Sequence, residues 1–258
     1  MKAQLRFWSL FLVIYLLGSV NAENIEWMSF NDAVVKAKKE NKHILVDFYT
    51  DWCGWCKKLD SEVYSKKEII NFLSDNFVAV KLNPEKEGEV TFQGKKFKYS
   101  EFAQAAGVTG YPATGFFAPN SDFLQVVPGY IPAEQFTSLL KYFDDEKYKL
   151  LGYQDYFIYD KFNSLVLNNP ENAEINFVLG FFEHNVLNNS SKAIKYYKTA
   201  AEKGKIAGAY AGLSQIAEAN KNTKNKEMWM KKAVAAGYKD ENSVKDKLIE
   251  IIKKHMKE

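Results

Sequence analysis

An apolar run followed by two closely spaced cysteines is the feature that most limits how this chain can fold. Residues 44–49 are apolar apart from Asp47, and residues 52–57 read WCGWCK. A buried strand that ends in a glycine-containing turn favours a helix that begins at or just after Cys53. Amide groups at a helix N-terminus carry a partial positive charge and lower the pKa of a thiol placed there. The sequence therefore predicts a nucleophilic Cys53 that is open to solvent.

The second cysteine predicts a redox function for this turn. Cys53 and Cys56 are the only two cysteines among the 258 residues. Cys56 stands one helical turn after Cys53, so the two sulfurs can close a short disulfide. One sulfur would attack a partner and the other would resolve the mixed disulfide that results.

Three other uses of the cysteine pair are possible. A structural disulfide would close only a short loop, which removes little chain entropy and stabilises weakly. A zinc site needs about four ligands, and only His43, His184 and His255 remain, all distant in the sequence from the cysteines or from one another. Attachment of a c-type haem needs a histidine after Cys56, where this chain has Lys57. These comparisons favour the redox interpretation and argue against a metal site.

Composition places the chain among ordinary globular proteins. Hydrophobic residues make up 47% of it and aromatic residues 15%, enough for a proper core. The length allows about two domains. The formal net charge of +3 is small and gives no reason to expect nucleic acid as a partner.

Residues 1–22 have the layout of a secretory signal peptide. Lys2 and Arg6 precede an apolar stretch over residues 7–17, and small residues surround a candidate cleavage site after Ala22. The apolar stretch is shorter than the roughly 20 residues that span a bilayer. An uncleaved anchor is the alternative. We expect an exported protein, placed in the periplasm of a bacterium, or secreted or in the ER lumen of a eukaryote, where disulfide exchange is common.

Residues 23–147 form the first predicted domain, in which strands and helices alternate. An amphipathic helix over residues 30–41 precedes the strand that leads to the cysteines. The later pattern predicts helices over 53–64, 65–74, 99–106 and 132–143, and strands over 76–82, 115–118 and 123–127. This order predicts an α/β fold with a mixed central sheet flanked by helices.

At this point the chain resembles the thioredoxin superfamily, from about residue 44 to residue 143. The resemblance is carried by the strand and WCGWCK motif, by residues 80–83 (VKLN), by residues 110–114 (GYPAT) and by Gly129, in that order. The motif is most similar to that of exported thioredoxins, including the soluble domains of membrane proteins that pass reductant. The residue before Cys56 is Trp55 rather than the proline of cytosolic thioredoxins, so the redox potential is not carried over.

The resemblance implies particular roles. Cys53 would be the attacking thiolate, Cys56 the resolving thiol, and Pro112 the cis-proline whose preceding backbone meets the substrate. Without the resemblance, the favoured interpretation of Pro112 is a residue that starts a strand. The resemblance also places Asp47 beneath the cysteines with Lys81 nearby. A carboxyl buried there would have a raised pKa and could accept the proton of Cys56. Otherwise Asp47 would be a polar residue at a strand edge and Lys81 an exposed strand residue.

Aromatic residues are expected to form the substrate-binding rim. Trp52, Trp55 and Tyr111, together with Gly54, would surround the sulfurs and suit an extended peptide, although the tryptophans could instead pack in the core. Residues 84–100 are longer than the family usually has at this place. They predict a small hairpin that either shapes this surface or is only a tolerated insertion.

Residues 148–258 predict an all-helical domain. Six helical stretches lie over 154–167, 172–187, 191–202, 207–220, 224–236 and 243–256. Residues 196–204 recur at 229–237, a shift of 33 that is typical of helical-hairpin repeats. This segment resembles tetratricopeptide or Sel1-like repeats, which implies a surface for a protein partner. A domain that only stabilises or dimerises the first one is the alternative.

We therefore expect an exported thiol-disulfide oxidoreductase, a reductase or isomerase rather than an oxidase. Its substrates would be proteins with disulfides or thiols, and a membrane protein could deliver the reductant. No cofactor beyond the Cys53–Cys56 disulfide is expected. The alternative is an adaptor, redox-inactive or redox-sensing, whose helical repeats recruit a partner protein.

Overall fold

The computed structural model describes residues 24–257. The predicted signal peptide, residues 1–22, lies outside the described residues. Within the described part of the chain, no helix is both long and apolar enough to cross a membrane.

A mixed five-stranded sheet forms the centre of the first domain, which confirms the predicted fold class. The strands of this sheet are Trp27–Met28 (β1), His43–Phe48 (β2), Phe77–Leu82 (β3), Ala113–Phe117 (β6) and Phe123–Pro128 (β7). Their order in the sheet is β1-β3-β2-β6-β7, with β1, β3 and β2 parallel and with β6 and β7 antiparallel to their neighbours. Strand β1, only two residues long, was not predicted.

Five helices flank the sheet at nearly the predicted positions. They are Phe30–Glu40 (α1), Gly54–Leu59 (α2), Lys67–Asn76 (α3), Tyr99–Ala105 (α4) and Ala133–Asp144 (α5). Helix α2 continues as a π-helical turn over Asp60–Tyr64. The side chain of Ser29 accepts the Asp32 amide and caps α1.

The two faces of the sheet belong to two separate apolar clusters. Ile44, Val46 and Phe48 of β2 pack in one cluster with residues of α1 and α4. Leu45 packs in the other cluster with residues of the π-helical turn, α3 and α5. Because side chains alternate along a strand, Asp47 shares the face of Leu45. The carboxyl therefore points to the side of the sheet where α2 and its π-helical turn lie.

The insertion forms the predicted hairpin and is packed against the first domain. Its strands are Glu89–Phe92 (β4) and Lys95–Lys98 (β5), which pair antiparallel. Val90 is buried, and the Thr91 amide donates to the Asn31 side chain at 2.7 Å. The hairpin is therefore part of the domain rather than a loose extension.

The rest of the described chain is all-helical, as predicted. A short 3₁₀ turn, Lys147–Lys149, leads into it. The helices are Tyr153–Asn168 (α6), Ala173–Asn185 (α7), Ser190–Gly204 (α8), Ala207–Ala219 (α9), Thr223–Ala235 (α10) and Glu241–His255 (α11). Helices α7 and α8 pack as one pair, and α9 and α10 as another. Ala200 and Ala233, equivalent under the 33-residue shift, are both fully buried.

The last helix lies on the face that the first helices of the two pairs share. Leu248 and Ile251 of α11 belong to the apolar cluster built by α7, α8 and α9. Val244 lies close to Gly208 of α9, and the His255 ring lies 3.0 Å from the Glu174 carboxylate at the start of α7. This face, where a repeat protein would be expected to bind a partner, therefore carries α11.

The two regions meet along α5 and α6. The Tyr142 hydroxyl donates to the Leu151 carbonyl at 2.9 Å, and the Tyr153 hydroxyl donates to the Gln135 carbonyl at 2.7 Å. Tyr156 of α6 is buried in the same apolar cluster as Phe143 of α5. The apolar cluster on this side of the sheet therefore crosses the predicted boundary at residue 147.

Candidate active site around Cys53 and Cys56

The cysteine pair lies where β2 delivers the chain to the start of α2. Cys53 is the N-cap of α2, and its Sγ accepts the Cys56 amide at 3.0 Å. The two cysteines form a disulfide, as their spacing predicts. A sulfur at this position lies next to unpaired helix N–H groups, which stabilise a thiolate once the disulfide is reduced.

Both cysteines are more enclosed than expected. We expected Cys53 to be open to solvent, and the structure leaves 4% of it exposed and 4% of Cys56. The Cys53 sulfur is bonded to the Cys56 sulfur and accepts a hydrogen bond from the Cys56 amide. These two contacts block two of the directions from which a partner sulfur could approach it. A partner sulfur must reach Cys53 through the opening given by the small part of its surface that stays exposed.

Aromatic side chains next to this opening are strongly exposed. Trp52 is 68% exposed and Trp55 is 57% exposed, which excludes core packing for both. The Trp52 and Tyr111 rings meet edge to face with their centroids 6.2 Å apart. The Trp55 ring lies 5.5 Å from that of Tyr130. These pairs provide an apolar surface on two sides of the cysteine motif.

Charged residues hold these aromatic rings, and the sequence did not point to them. The Trp52 indole N–H donates to the Glu85 carboxylate, 3.0 Å from each oxygen. The Lys58 ammonium lies 4.9 Å from the Trp55 ring centroid and 5.1 Å from that of Tyr130. The contact between Trp52 and Glu85 joins the start of α2 to the loop after β3, a pairing that only the tertiary fold creates.

Pro112 lies directly before β6, and the Tyr111–Pro112 peptide bond is cis. The Pro112 carbonyl accepts the Gly129 amide at 2.8 Å. Both sequence interpretations of Pro112 therefore describe its position, since it begins a strand and it has the cis geometry that the resemblance implies. Gly54 has open space around its Cα, so a side chain there would meet no neighbour.

Asp47 is a buried carboxyl in the middle of the sheet. It lies between Lys81 of β3 and Thr114 of β6, and only 1% of it is exposed. Its position excludes the strand-edge interpretation. Burial raises the pKa of the Asp47 carboxyl to about 7, although the nearby Lys81 ammonium opposes the rise. A group with this pKa can both accept and return a proton near neutral pH.

Lys81 contacts two carboxylates rather than one. Its Nζ lies 3.6 Å from Asp47 Oδ2 and 2.5 Å from Asp60 Oδ1. The ammonium also lies 5.2 Å from the Trp27 ring centroid and 5.1 Å from that of Tyr49. Asp60 was not predicted, although it stands four residues after Cys56 and so shares a helix face with it.

Two further polar side chains are buried on the same side. Tyr64 is buried, and desolvation raises the pKa of its hydroxyl well above the ordinary value, with the Asp47 charge adding to the rise. Thr114 is fully buried. The Tyr64 hydroxyl and the Thr114 hydroxyl face each other, and among the described residues Asp47 Oδ1 has no hydrogen-bond partner. Buried polar atoms without partners are rare and often mark functional positions.

Comparison with known proteins finds a family model that matches the first region. Residues 30–144 match the family model of the thioredoxin-like domain. The rice protein disulfide isomerase-like 2-2 is 37% identical over 78 residues, which are 30% of this chain and 18% of that protein. The disulfide bond reductase DsbH of Chlamydia pneumoniae is 28% identical over 99 residues, 38% of this chain and 58% of that protein. The chain thus spans less than two thirds of each of these relatives.

Part of the chain also aligns with solved structures at low identity. A thioredoxin-fold protein from Helicobacter pylori aligns with a TM-score of 0.43 and 22% identity. The alignment covers 46% of this chain and 83% of that protein.

Proposed function

We propose that this protein is a thiol-disulfide oxidoreductase that acts on protein disulfides, and the match of residues 30–144 to the family model of the thioredoxin-like domain supports the proposal. The observation that carries the proposal is the Cys53–Cys56 disulfide at the N-terminus of α2, on the side of the sheet to which the buried Asp47 points. No cofactor beyond this disulfide is proposed.

The reaction starts from the reduced protein. The Cys53 thiolate attacks one sulfur of a substrate disulfide, so a mixed disulfide forms and the other substrate sulfur leaves as a thiolate. The Cys56 thiol then gives its proton to the Asp47 carboxylate, and its sulfur attacks Cys53 Sγ. The second substrate sulfur leaves as a thiolate. Two electrons pass from the protein dithiol to the substrate, whose thiolates take protons according to the pH.

We propose that the reduced dithiol form of the protein acts on substrates, as in a reductase, which gives two electrons to the substrate, or an isomerase, which rearranges its disulfides without net electron transfer. Only Gly54 and Trp55 lie between the cysteines, and neither is a histidine or another group that strongly stabilises a thiolate. A less stabilised reduced form is a stronger reductant. When the protein acts as a reductase, a dithiol protein would have to reduce Cys53–Cys56 after each cycle.

The substrate would be an extended peptide segment that contains the disulfide. The exposed Trp52 and Trp55 and the half-buried Tyr111 offer apolar contacts beside the opening. The backbone before Pro112 would align the segment. Aromatic surfaces of this kind bind peptides of varied sequence, so we expect broad rather than narrow specificity.

The proposed location is an exported compartment, the periplasm in a bacterium. The signal-like residues 1–22 and the likeness to DsbH support this location. A membrane protein that delivers reductant would then be a suitable electron donor.

An adaptor that recruits a partner through α6–α11 is the second candidate function. The size of the helical region and its two pairs of helices favour the adaptor function. Its repeat character and its partner are proposals.

Turnover with insulin separates the two functions. The full chain should speed the reduction of insulin by dithiothreitol, and Cys53→Ser should abolish the effect. Cys56→Ser should instead accumulate a mixed disulfide at Cys53, which identifies the substrate by mass spectrometry. Insulin reduction at the uncatalysed rate, with full cellular function of Cys53→Ser, would favour the adaptor.

A further inference from the structure

Asp60 and Asp47 compete for one ammonium group. The Lys81 ammonium is in direct hydrogen-bonding contact with Asp60, with Nζ 2.5 Å from Oδ1. Its distance to Asp47 Oδ2 is 3.6 Å, within ion-pair range but too long for a good hydrogen bond. The ammonium is therefore bonded to the outer carboxylate and only approaches the buried one.

The position of Asp60 explains why it wins this competition. It begins the π-helical turn that follows α2, and its side chain is 44% exposed, whereas the Asp47 side chain is 2% exposed. A partly exposed carboxylate keeps much of its hydration and stays ionised at low cost. A buried carboxylate loses its hydration and resists ionisation. An ammonium that can reach both is drawn to the one that is already charged.

We propose that Asp60 is a positioning residue that holds the Lys81 ammonium away from Asp47 and thereby keeps Asp47 able to carry a proton at neutral pH. This inference rests on the proposed function for its catalytic meaning, because proton transfer between Cys56 and Asp47 is a step of that function. The electrostatic arrangement itself does not depend on catalysis.

Among the described groups that face Asp47, the Lys81 ammonium and the Asp60 carboxylate are the charges that act on its pKa. From β3 comes Lys81, and from the π-helical turn come Asp60 and Tyr64. Thr114 of β6 carries no charge, and the raised pKa of Tyr64 keeps its hydroxyl neutral at ordinary pH. Removing the Asp60 charge therefore changes the pKa of Asp47 in two ways, and both lower it. It removes a repulsion and frees Lys81 to pair with Asp47, and both effects favour the ionised carboxylate.

The test measures Asp47 directly in the full-length oxidised protein, in which the cysteines cannot titrate. The Asp47 carboxyl carbon is followed by NMR from pH 4 to pH 9 in wild type and Asp60→Asn. We expect the Asp47 midpoint in Asp60→Asn to fall by about one pH unit or more, because an ammonium beside a carboxylate lowers its pKa by one to three units.

Two further variants act as controls. Asp51→Asn removes one exposed carboxylate that pairs with Lys86 rather than Lys81, so it leaves the midpoint unchanged. Lys81→Met removes the ammonium and raises the midpoint. In the reduced proteins, the pH profile of mixed-disulfide resolution should move to lower pH in Asp60→Asn by the same amount.

The outcomes separate the inference from the proposed function. An unchanged Asp47 midpoint in Asp60→Asn, or an equal shift in Asp51→Asn, overturns the inference even if insulin is reduced normally. A shifted midpoint in a protein that reduces no insulin supports the role of Asp60 in controlling Asp47 and rejects the enzymatic function.

Discussion

The indole of Trp52 is held by Glu85 of the loop after β3, with Nε1 3.0 Å from each carboxylate oxygen. This contact fixes the most exposed aromatic ring beside the cysteines, because a strongly exposed tryptophan would otherwise sample several rotamers. The indole ring lies edge to face with the Tyr111 ring, where the proposed peptide would bind.

Replacement of Glu85 by alanine should weaken substrate binding more than turnover. The indole loses its acceptor, and a hydrogen bond to a charged group at a partly exposed site contributes about 1 kcal/mol. We expect the KM for insulin to rise about fivefold with kcat little changed. Glu87→Ala, in the same loop, is the control and should behave as wild type. A fall in kcat with unchanged KM would contradict the proposed role of the rim.

Replacement of the buried Asp47 by asparagine should stabilise the protein at high pH. The folded-state pKa of Asp47 is raised to about 7 from an ordinary value of 3.8, so the folded protein holds this proton more tightly than the unfolded chain. The associated stability is fully present below pH 3.8 and is lost as the pH rises through about 7. A difference of about three units corresponds to about 4 kcal/mol.

Asp47→Asn therefore should unfold at higher guanidinium concentration than wild type at pH 8, and the gap should close near pH 4. Both proteins are compared in the oxidised form, so the cysteines do not contribute. The gain would approach about 4 kcal/mol in the free energy of unfolding. A constant difference at all pH values would show that Asp47 ionises without penalty.

Asp47→Asn should also slow the step in which Cys56 resolves the mixed disulfide. Without a carboxylate, the Cys56 thiol loses its proton acceptor, and general base catalysis typically contributes about 100-fold or more. The decay of a preformed mixed disulfide at Cys53 measures this step in a single turnover. Asp51→Asn is the matched control and should resolve the mixed disulfide at the wild-type rate. An unchanged rate in Asp47→Asn would exclude Asp47 as the proton acceptor.

Truncation at the predicted boundary should destabilise the first domain. A chain that ends at residue 147 lacks Leu151 and Tyr156, which belong to the apolar cluster on the α5 side of the sheet. It also loses the carbonyl that accepts from the Tyr142 hydroxyl. We expect a much lower melting temperature than for a chain that ends at residue 168 and so keeps α6. Equal melting temperatures would mean that the first domain does not depend on α6.

Two glycines in the helical region should not tolerate alanine. A Cβ at Gly180 would lie 2.6 Å from the Tyr197 ring, and one at Gly212 would lie 2.4 Å from it, so this ring lies between α7 and α9. Each substitution should cost about 2 kcal/mol in unfolding free energy, because the buried ring cannot move aside. Gly152→Ala, where a Cβ meets no neighbour, is the control. Thermal denaturation followed by circular dichroism measures all three.

Local patterns predicted most of the fold, and long-range contacts account for what they missed. The strand before Cys53, the helix after it and the six C-terminal helices each follow from periodicity and from cap and turn residues. Strand β1 is only two residues long, too short for a periodic pattern, and it exists because β3 offers it hydrogen bonds.

The candidate site divides in the same way. Cys53 and Cys56 could be found from their spacing alone, and the resemblance indicated Asp47, Lys81 and Pro112. Glu85 and Tyr130 join the site through tertiary contacts, which no local pattern reveals. Asp60 could have been found, because its spacing from Cys56 places both on one side of a helix. The low exposure of Cys53 depends on how the tertiary fold encloses the cysteine pair, which the sequence pattern does not describe.

The placement of α11 has a consequence for any protein that would use the face of α7 and α9. That face is already covered by a segment tethered to the same chain, and tethering through a short link gives an effective concentration on the order of millimolar. An incoming helix must displace α11, so its observed affinity is reduced by about the ratio of this effective concentration to the dissociation constant of α11 for the same face.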